Sequence, residues 1–280
     1  MTRVRRAQAI SPTAHYTAHV WARNGLGPSA LSTTPGRVLH GLVSTVTVPS
    51  RMLGGPTLDA FLLARHRIID HLLTIAVEDE GITQVVELAA GLSPRGAVFT
   101  QAYPGLTYVE VDLPRMTEHK RAALARSGPL AAGHRLSSAD VFDDAHALSA
   151  IADGLDRSRG VVVITEGLLN YFATPAVELL WARIAAMASS FAGGTYLSDI
   201  HLATMSESAL LQRGFITALS AFVRGRVHLH YPNADAAVAA LSAAGFSRVT
   251  LHAAADHATD LPGMSAPGAN LVHVIEARTA

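Results

Sequence analysis

The 280 residues contain no cysteine, which excludes disulfides, thiolate nucleophiles and cysteine-ligated zinc. Hydrophobic residues make up 49% of the chain and mean hydropathy is +0.27, yet no run approaches the roughly 18 uninterrupted apolar residues that span a bilayer. Buried parallel strands and Ala-rich helices account for that balance, and no membrane partner is expected. Charge of either sign in excess is also missing, because 22 basic residues cancel 22 acidic ones. No overall field therefore draws the protein to nucleic acid. The apolar core of a signal peptide is lacking too: Arg3, Arg5 and Arg6 are followed by Ala-Gln-Ala-Ile-Ser-Pro, so a cytoplasmic location is expected.

What the chain does have is alternation. Residues 11–36 mix aromatics, Gly and Pro without sustained periodicity. They form part of an N-terminal helical arm or cap, residues 1–57, which either is a plain surface segment or folds its aromatic residues over a cleft. Residues 58–77 read as the first strong helix, with Leu58, Phe61, Leu62, Ile69, Leu72 and Leu73 in an apolar stripe. Arg65 falls inside that stripe. It either meets an anion there or makes a structural ion pair, for which Asp59 is one partner.

Short β-branched runs follow at 82–88, 106–111 and 161–165, a weaker one at 134–136, and further ones at 195–199, 246–251 and 271–275. Helical connections lie at 115–127 and 174–191, where Thr174 is placed to cap and Pro175 fits the first turn. A helical insertion is expected at about 203–222. A helix at 233–244 is stopped by Gly245. Alternation on this scale implies an α/β, doubly wound, mostly parallel sheet over residues 58–280, with the arm at 1–57 a cap of the same domain.

In such sheets ligands sit beyond the carboxyl ends of the strands, where the connections diverge. The stretch Glu87-Leu-Ala-Ala-Gly91-Leu-Ser-Pro-Arg95-Gly96 occupies that position. Its small residues let a ligand approach the backbone, and Gly91 tolerates conformations closed to other residues. Glu87 is placed to orient a cationic group, while Arg95 either holds a carboxylate or pairs with Glu87. Asp112 ends the next strand at the separation typical of a ribose-gripping acid, with Glu110 as a structural alternative. The turn lacks the Gly-x-Gly-x-x-Gly pattern that cradles a diphosphate, which disfavours a nicotinamide-dependent oxidoreductase. S-adenosylmethionine has no phosphate, and its sulfonium, ammonium and ribose suit a cleft supplied with carboxylates. Asp140 is either an adenine-side acceptor or a cap, and Glu166 ends the central strand facing the crevice, followed by Gly167 and Tyr171.

These segments resemble the leucine carboxyl methyltransferase family, and within it the bacterial branch associated with polyketide O-methylation. The matching stretches are Arg65-His-Arg-Ile-Ile-Asp70, Val86 to Arg95, Glu110-Val-Asp-Leu-Pro114 and Glu166-Gly-Leu-Leu-Asn-Tyr171. The resemblance implies a Rossmann-like class I methyltransferase with seven strands, the last antiparallel. It implies that Arg65 contacts a carboxylate near cofactor or acceptor, Gly91 forms the methionine-side turn and Asp112 binds ribose. Asp140 would then be the adenine-side acid and Glu166 the acid beneath the methionine portion. The family often has Gly where this chain has Ala89 or Ala90.

The expected activity is O-methylation of a small aromatic, polyketide-like or carboxylate-bearing metabolite, with S-adenosylhomocysteine as product and a homodimer left open. A carboxylate acceptor needs no base, whereas a phenol or enol benefits from one, for which His201 and Tyr16 are the candidates. A non-methylating binding protein or pericyclic catalyst on the same fold is the further alternative. Among fourteen histidines, His228 and His230 would share a face if their segment is a strand, and His252 lies later, too few ligands to specify a metal.

Overall fold

A computed structural model describes residues 12–52, 55–142, 146–203 and 228–280. The insertion expected at 203–222 lies, beyond its first residue, outside the described residues. Seven strands form one sheet: β1 (Gln84–Leu88), β2 (Thr107–Asp112), β3 (His134–Ser138), β4 (Gly160–Thr165), β5 (Gly193–Ile200), β6 (Arg248–Ala253) and β7 (His273–Arg278). Their order is β3-β2-β1-β4-β5-β7-β6. The pairs from β3 to β5 are parallel, and β7 runs antiparallel to both β5 and β6. The chain leaves β1 for β2 on one side and returns to β4 on the other, so a crevice opens at the carboxyl ends of β1 and β4.

The run of valines in β4 shows why this sheet is covered on both faces. Val161 and Val163 join Val86, Leu88, Val109, Val111, Trp181 and Ile184 in one apolar cluster, whereas Val162 and Ile164 join Val85, Ile68, Ile69, Leu72 and Leu73 in the other. Successive side chains of a strand point to opposite faces, so a strand buried on both must be apolar throughout. The second cluster is roofed by a helix capped at Thr57, whose hydroxyl accepts from Ala60 N.

The arm is helical from Pro12, the first described residue, although residues 11–36 lack a sustained periodicity. Its elements are α1 (Pro12–Arg23) and α2 (Thr34–Met52); α3 (Leu58–Glu78) is the Thr57-capped helix, followed by α4 (Arg95–Ala102), α5 (Pro114–Leu124), α6 (Ala147–Asp153), α7 (Thr174–Ala188) and α8 (Ala234–Ala243). Two α1 residues, Tyr16 and Val20, pack with Phe61, Leu62 and Val272, while Ala18 packs with Leu92, Met116 and Leu124. The arm is thereby sealed onto the end of the sheet where the crevice lies.

One local expectation needs adjustment. Thr174 is the first helical residue of α7 rather than its cap, which is Ala173 with no side-chain bond. The Thr174 hydroxyl instead lies 3.1 Å from His230 Nδ1, a tertiary partner competing with the cap. Asn233 caps α8 by accepting from Ala236 N, and Gly245 takes φ +113° just beyond the helix. Among the described residues, no helix is long and apolar enough to cross a membrane.

Candidate active site

Beyond β1 the chain reverses through Ala89 at φ +53° and Gly91 at φ +52°. Glycine adopts this left-handed conformation freely, whereas an alanine there is strained. The reversal aims the Gly91 amide at the end of β2, where it donates to Asp112 Oδ2 at 2.7 Å. The other Asp112 oxygen accepts from Leu113 N at 2.7 Å. Burial pushes the Asp112 carboxyl up, and these two amides oppose that rise. Asp112 is thus set at a strand end and braced by the turn. Asp140 lies beyond β3, where Oδ1 accepts from Phe142 N at 3.0 Å.

Across the crevice, Glu166 sits just past β4 at the centre of a buried ionic network. One of its oxygens accepts from Arg65 Nε at 3.0 Å. The other lies 2.8 Å from His66 Nδ1 and accepts from Arg95 Nη2 at 2.7 Å. Burial alone would raise its pKa, but His66, Arg95 and Arg65 outweigh burial and hold the carboxyl well below its ordinary value. Arg65 also donates from Nη1 to Asp199 Oδ2 at 3.2 Å, at the end of β5. The second oxygen of Asp199 accepts from Gly167 N at 2.6 Å. Arg95 completes its fork on Asp70 at 2.5 Å and on Glu87 at 2.6 Å.

The network spans α3, the start of α4, β1, the β4 end and β5. Four carboxylates, from Asp70, Glu87, Glu166 and Asp199, meet the two guanidiniums of Arg65 and Arg95 and the His66 imidazole. Glycine is required beside it: a Cβ on Gly167, at φ +68°, would lie 2.8 Å from Arg65 Nη2. Arg65 therefore makes its ion pairs with Glu166 and Asp199, while Asp59 is engaged elsewhere, by Tyr16 and His40.

Glu87 does not face the crevice as a ligand group. It is 1% exposed, with one oxygen on Arg95 and the other accepting from Tyr108 OH at 2.8 Å. Its place is behind Arg95, and burial raises its pKa despite that guanidinium. Glu110 is the structural carboxylate of β2, paired with Lys120 and with His134 at 3.2 Å.

Tyr16 is likewise set apart from the base role considered above. Its hydroxyl donates to Asp59 Oδ1 at 2.8 Å, within the apolar cluster joining α1 to α3. Burial and then the Asp59 charge push its pKa far up, so the phenol keeps its proton and pins the arm. His201 lies just past β5, stacked on Phe61 at 5.0 Å. With Nδ1 donating to Leu271 O at 3.0 Å, Nε2 carries the lone pair, 4.0 Å from Asp199 Oδ2. Burial lowers the His201 pKa.

Three participants escape the sequence reading. His66 and Asp70 lie in the quoted Arg65–Asp70 stretch, but nothing local shows that they converge with Arg95. Asp199 was legible only as a strand end, and the rule that carboxyl ends line the crevice applies to it equally. The His228 and His230 rings stack at 6.2 Å, and no group of three metal-ligating side chains occurs among the described residues.

Comparison with known proteins agrees with this architecture. A protein of Mycolicibacterium smegmatis named as a candidate S-adenosyl-L-methionine-dependent methyltransferase is 40% identical over 114 residues, 40% of this chain and 38% of that one. The first relatives matched are covered over less than half of their own length. Among solved structures, a candidate methyltransferase from Thermobifida fusca superposes with a TM-score of 0.64 at 17% identity, covering 96% of this chain and 97% of that one. Magnesium protoporphyrin IX methyltransferase of Synechocystis, solved with bound S-adenosylhomocysteine, superposes with a TM-score of 0.51 at 14% identity, covering 85% and 96%. The fold is that of the class I methyltransferases. The model of the leucine carboxyl methyltransferase family matches residues 32–185, more than half of the chain, which therefore belongs to that family.

Proposed function

We propose that the protein is an S-adenosylmethionine-dependent methyltransferase acting on an oxygen of a small aromatic, polyketide-like or carboxylate-bearing metabolite. The observation that carries this reading is the charge of the crevice. Three carboxylates, from Asp112, Glu166 and Asp199, stand at the carboxyl ends of β2, β4 and β5, a set that favours a cationic ligand, beside a turn with no diphosphate cradle. The left-handed Gly91 and Gly167 turn the chain on either side of the β1–β4 crevice. Family membership supports the same reading.

In it, Asp112 receives ribose hydroxyls with the acceptor capacity that two backbone amides leave, and Asp140 serves the adenine side. Arg65 and Glu166 serve the methionine end. S-adenosylmethionine supplies a methyl group already activated by a sulfonium, so the protein's task is alignment in a dry cleft. The fixed Arg65–Glu166–Arg95 network provides oriented charge that need not reorganise during the reaction. For a phenolic acceptor, His201 Nε2 takes the proton, its neutral form being favoured by burial. For a carboxylate acceptor, the class named by the family, no base is needed.

Calorimetry with S-adenosylhomocysteine tests the cofactor. Asp112→Ala and Glu166→Ala should each weaken binding by at least about tenfold while circular dichroism stays native. Wild-type affinity in both folded variants would overturn the assignment. Transfer of labelled methyl to phenolic against carboxylate acceptors then distinguishes the two acceptor chemistries.

A further inference from the structure

We propose that Trp21, on the arm, is a positioning residue of the cleft that sets the His66 ring and, through it, Glu166. The inference rests on the reading that Glu166 serves the methionine end of the cofactor.

The buried residues of α1 divide by what they touch. Tyr16, Ala18 and Val20 enter the two apolar clusters that seal the arm, while Trp21 enters neither. Its indole lies on the His66 imidazole instead, centroids 4.4 Å apart and planes 27° from parallel. Trp21 is 5% exposed and His66 is fully buried.

The choice of indole is informative. Trp21 Nε1 is buried and has no hydrogen-bond partner, so this N–H is a cost that phenylalanine or leucine would not carry. The indole is therefore not there to donate. What it adds over an aliphatic side chain is a large flat face against a polar ring, which stacking rewards. His66 needs such a face because its edge is held at Nδ1 alone, 2.8 Å from Glu166 Oε2 and 2.9 Å from Arg95 Nη2, while Nε2, 3.4 Å from Asp70 Oδ2, makes no hydrogen bond. A small rotation of the ring out of that plane would break the contact to Glu166 and leave that carboxylate oxygen to Arg95 alone. The arm is thereby joined to the ionic network through this stacked pair, so a residue of α1 whose side chain makes no hydrogen bond governs the acid across the cleft.

The test compares Trp21→Leu, Trp21→Phe and Val20→Ala, the last loosening the same helix through the apolar cluster without touching His66. Calorimetry with S-adenosylhomocysteine should show affinity falling about tenfold in Trp21→Leu and returning to within about twofold of wild type in Trp21→Phe. Val20→Ala should lower the melting temperature and leave affinity within about twofold. In a His66→Leu background, Trp21→Leu should cause no further loss, since the two act in series. Independently of any ligand, the His66 ring nitrogen resonances should shift in Trp21→Leu and not in Val20→Ala. Binding by the wild type with equal affinity in Trp21→Leu, or unmoved His66 resonances, would overturn the positioning role. A wild type that fails to bind would overturn the cofactor reading instead, and the resonances would still decide whether Trp21 sets the ring.

Discussion

Replacing Arg95 by methionine, which keeps much of its length and removes its charge, tests whether the buried network is held together by that one guanidinium. Arg95 is 1% exposed and donates to Asp70, Glu87 and Glu166. Glu166 would retain Arg65 and His66, and Asp70 is partly in water, its side chain 26% exposed. Glu87 would retain only the Tyr108 hydroxyl, so the loss concentrates there. Removing one partner of a buried pair costs about 3–5 kcal/mol, and at about 2–4 °C per kcal/mol for a chain of this size the melting temperature should fall by roughly 10 °C.

The pH dependence identifies the residue responsible. Burial already holds the Glu87 pKa above its ordinary value with Arg95 present, and without Arg95 it must rise further. A carboxyl whose folded pKa exceeds its unfolded value of about 4.3 binds more protons in the folded state, so stability declines as pH climbs from the unfolded towards the folded pKa. The penalty for Arg95→Met should therefore be larger at pH 8 than at pH 5, and Glu87→Gln added to it should restore much of the loss at pH 8. Thermal melts followed by circular dichroism read all three quantities. A melting temperature within 2–3 °C of wild type (about 1 kcal/mol), or a penalty indifferent to both pH and Glu87→Gln, would refute the reasoning.

Other perturbations follow from single atoms. Gly167→Ala would force a Cβ to within 2.8 Å of Arg65 Nη2 at a left-handed position; calorimetry should show cofactor affinity reduced by about tenfold or more, with roughly 1–2 kcal/mol of stability lost in denaturant melts. Ala89→Gly relieves the left-handed alanine and should raise stability by up to about 1 kcal/mol, less the entropy glycine adds to the unfolded chain, with cofactor affinity unchanged. With a phenolic acceptor, His201→Asn should lower kcat by about 10²–10⁴. Because burial depresses the His201 pKa, wild-type kcat should fall at a lower pH than an ordinary imidazole, with its pKa of about 6.5, would give. A carboxylate acceptor should show neither effect.

How much of this was legible in the sequence depended on the range of the interaction. The strands announce themselves through Val85, Val86 and the run 161–164, because a parallel sheet covered on both faces demands unbroken apolar residues. Once strand ends are located, Asp112 and Glu166 follow, since chain connectivity places them at the crevice. The arm was harder. In Pro-Thr-Ala-His-Tyr-Thr-Ala-His-Val-Trp-Ala-Arg, histidines and threonines interrupt the apolar stripe, and α1 owes its seat to contacts with α3 and the β1 turn rather than to its own periodicity. Tyr16 looked available on an arm, and only the position of Asp59 shows its proton to be committed. Glu87 looked like a ligand because it ends a strand, yet the turn after it carries Arg95 back over it. Those outcomes depend on side-chain pairing between distant segments, which no local pattern encodes.

The same remoteness shapes how the site comes into being. Arg65 reaches Glu166 across 101 positions and Asp199 across 134, and Arg95 reaches Glu166 across 71. None of these pairs can close until β4 and β5 have docked beside β1, and such long-range parallel pairing is slow because the loop entropy is lost before any contact forms. Until then the carboxylates and guanidiniums stay hydrated and exert no concerted field. A refolding chain should thus regain its helical signal well before it regains ligand affinity, making the crevice one of the last features that folding completes.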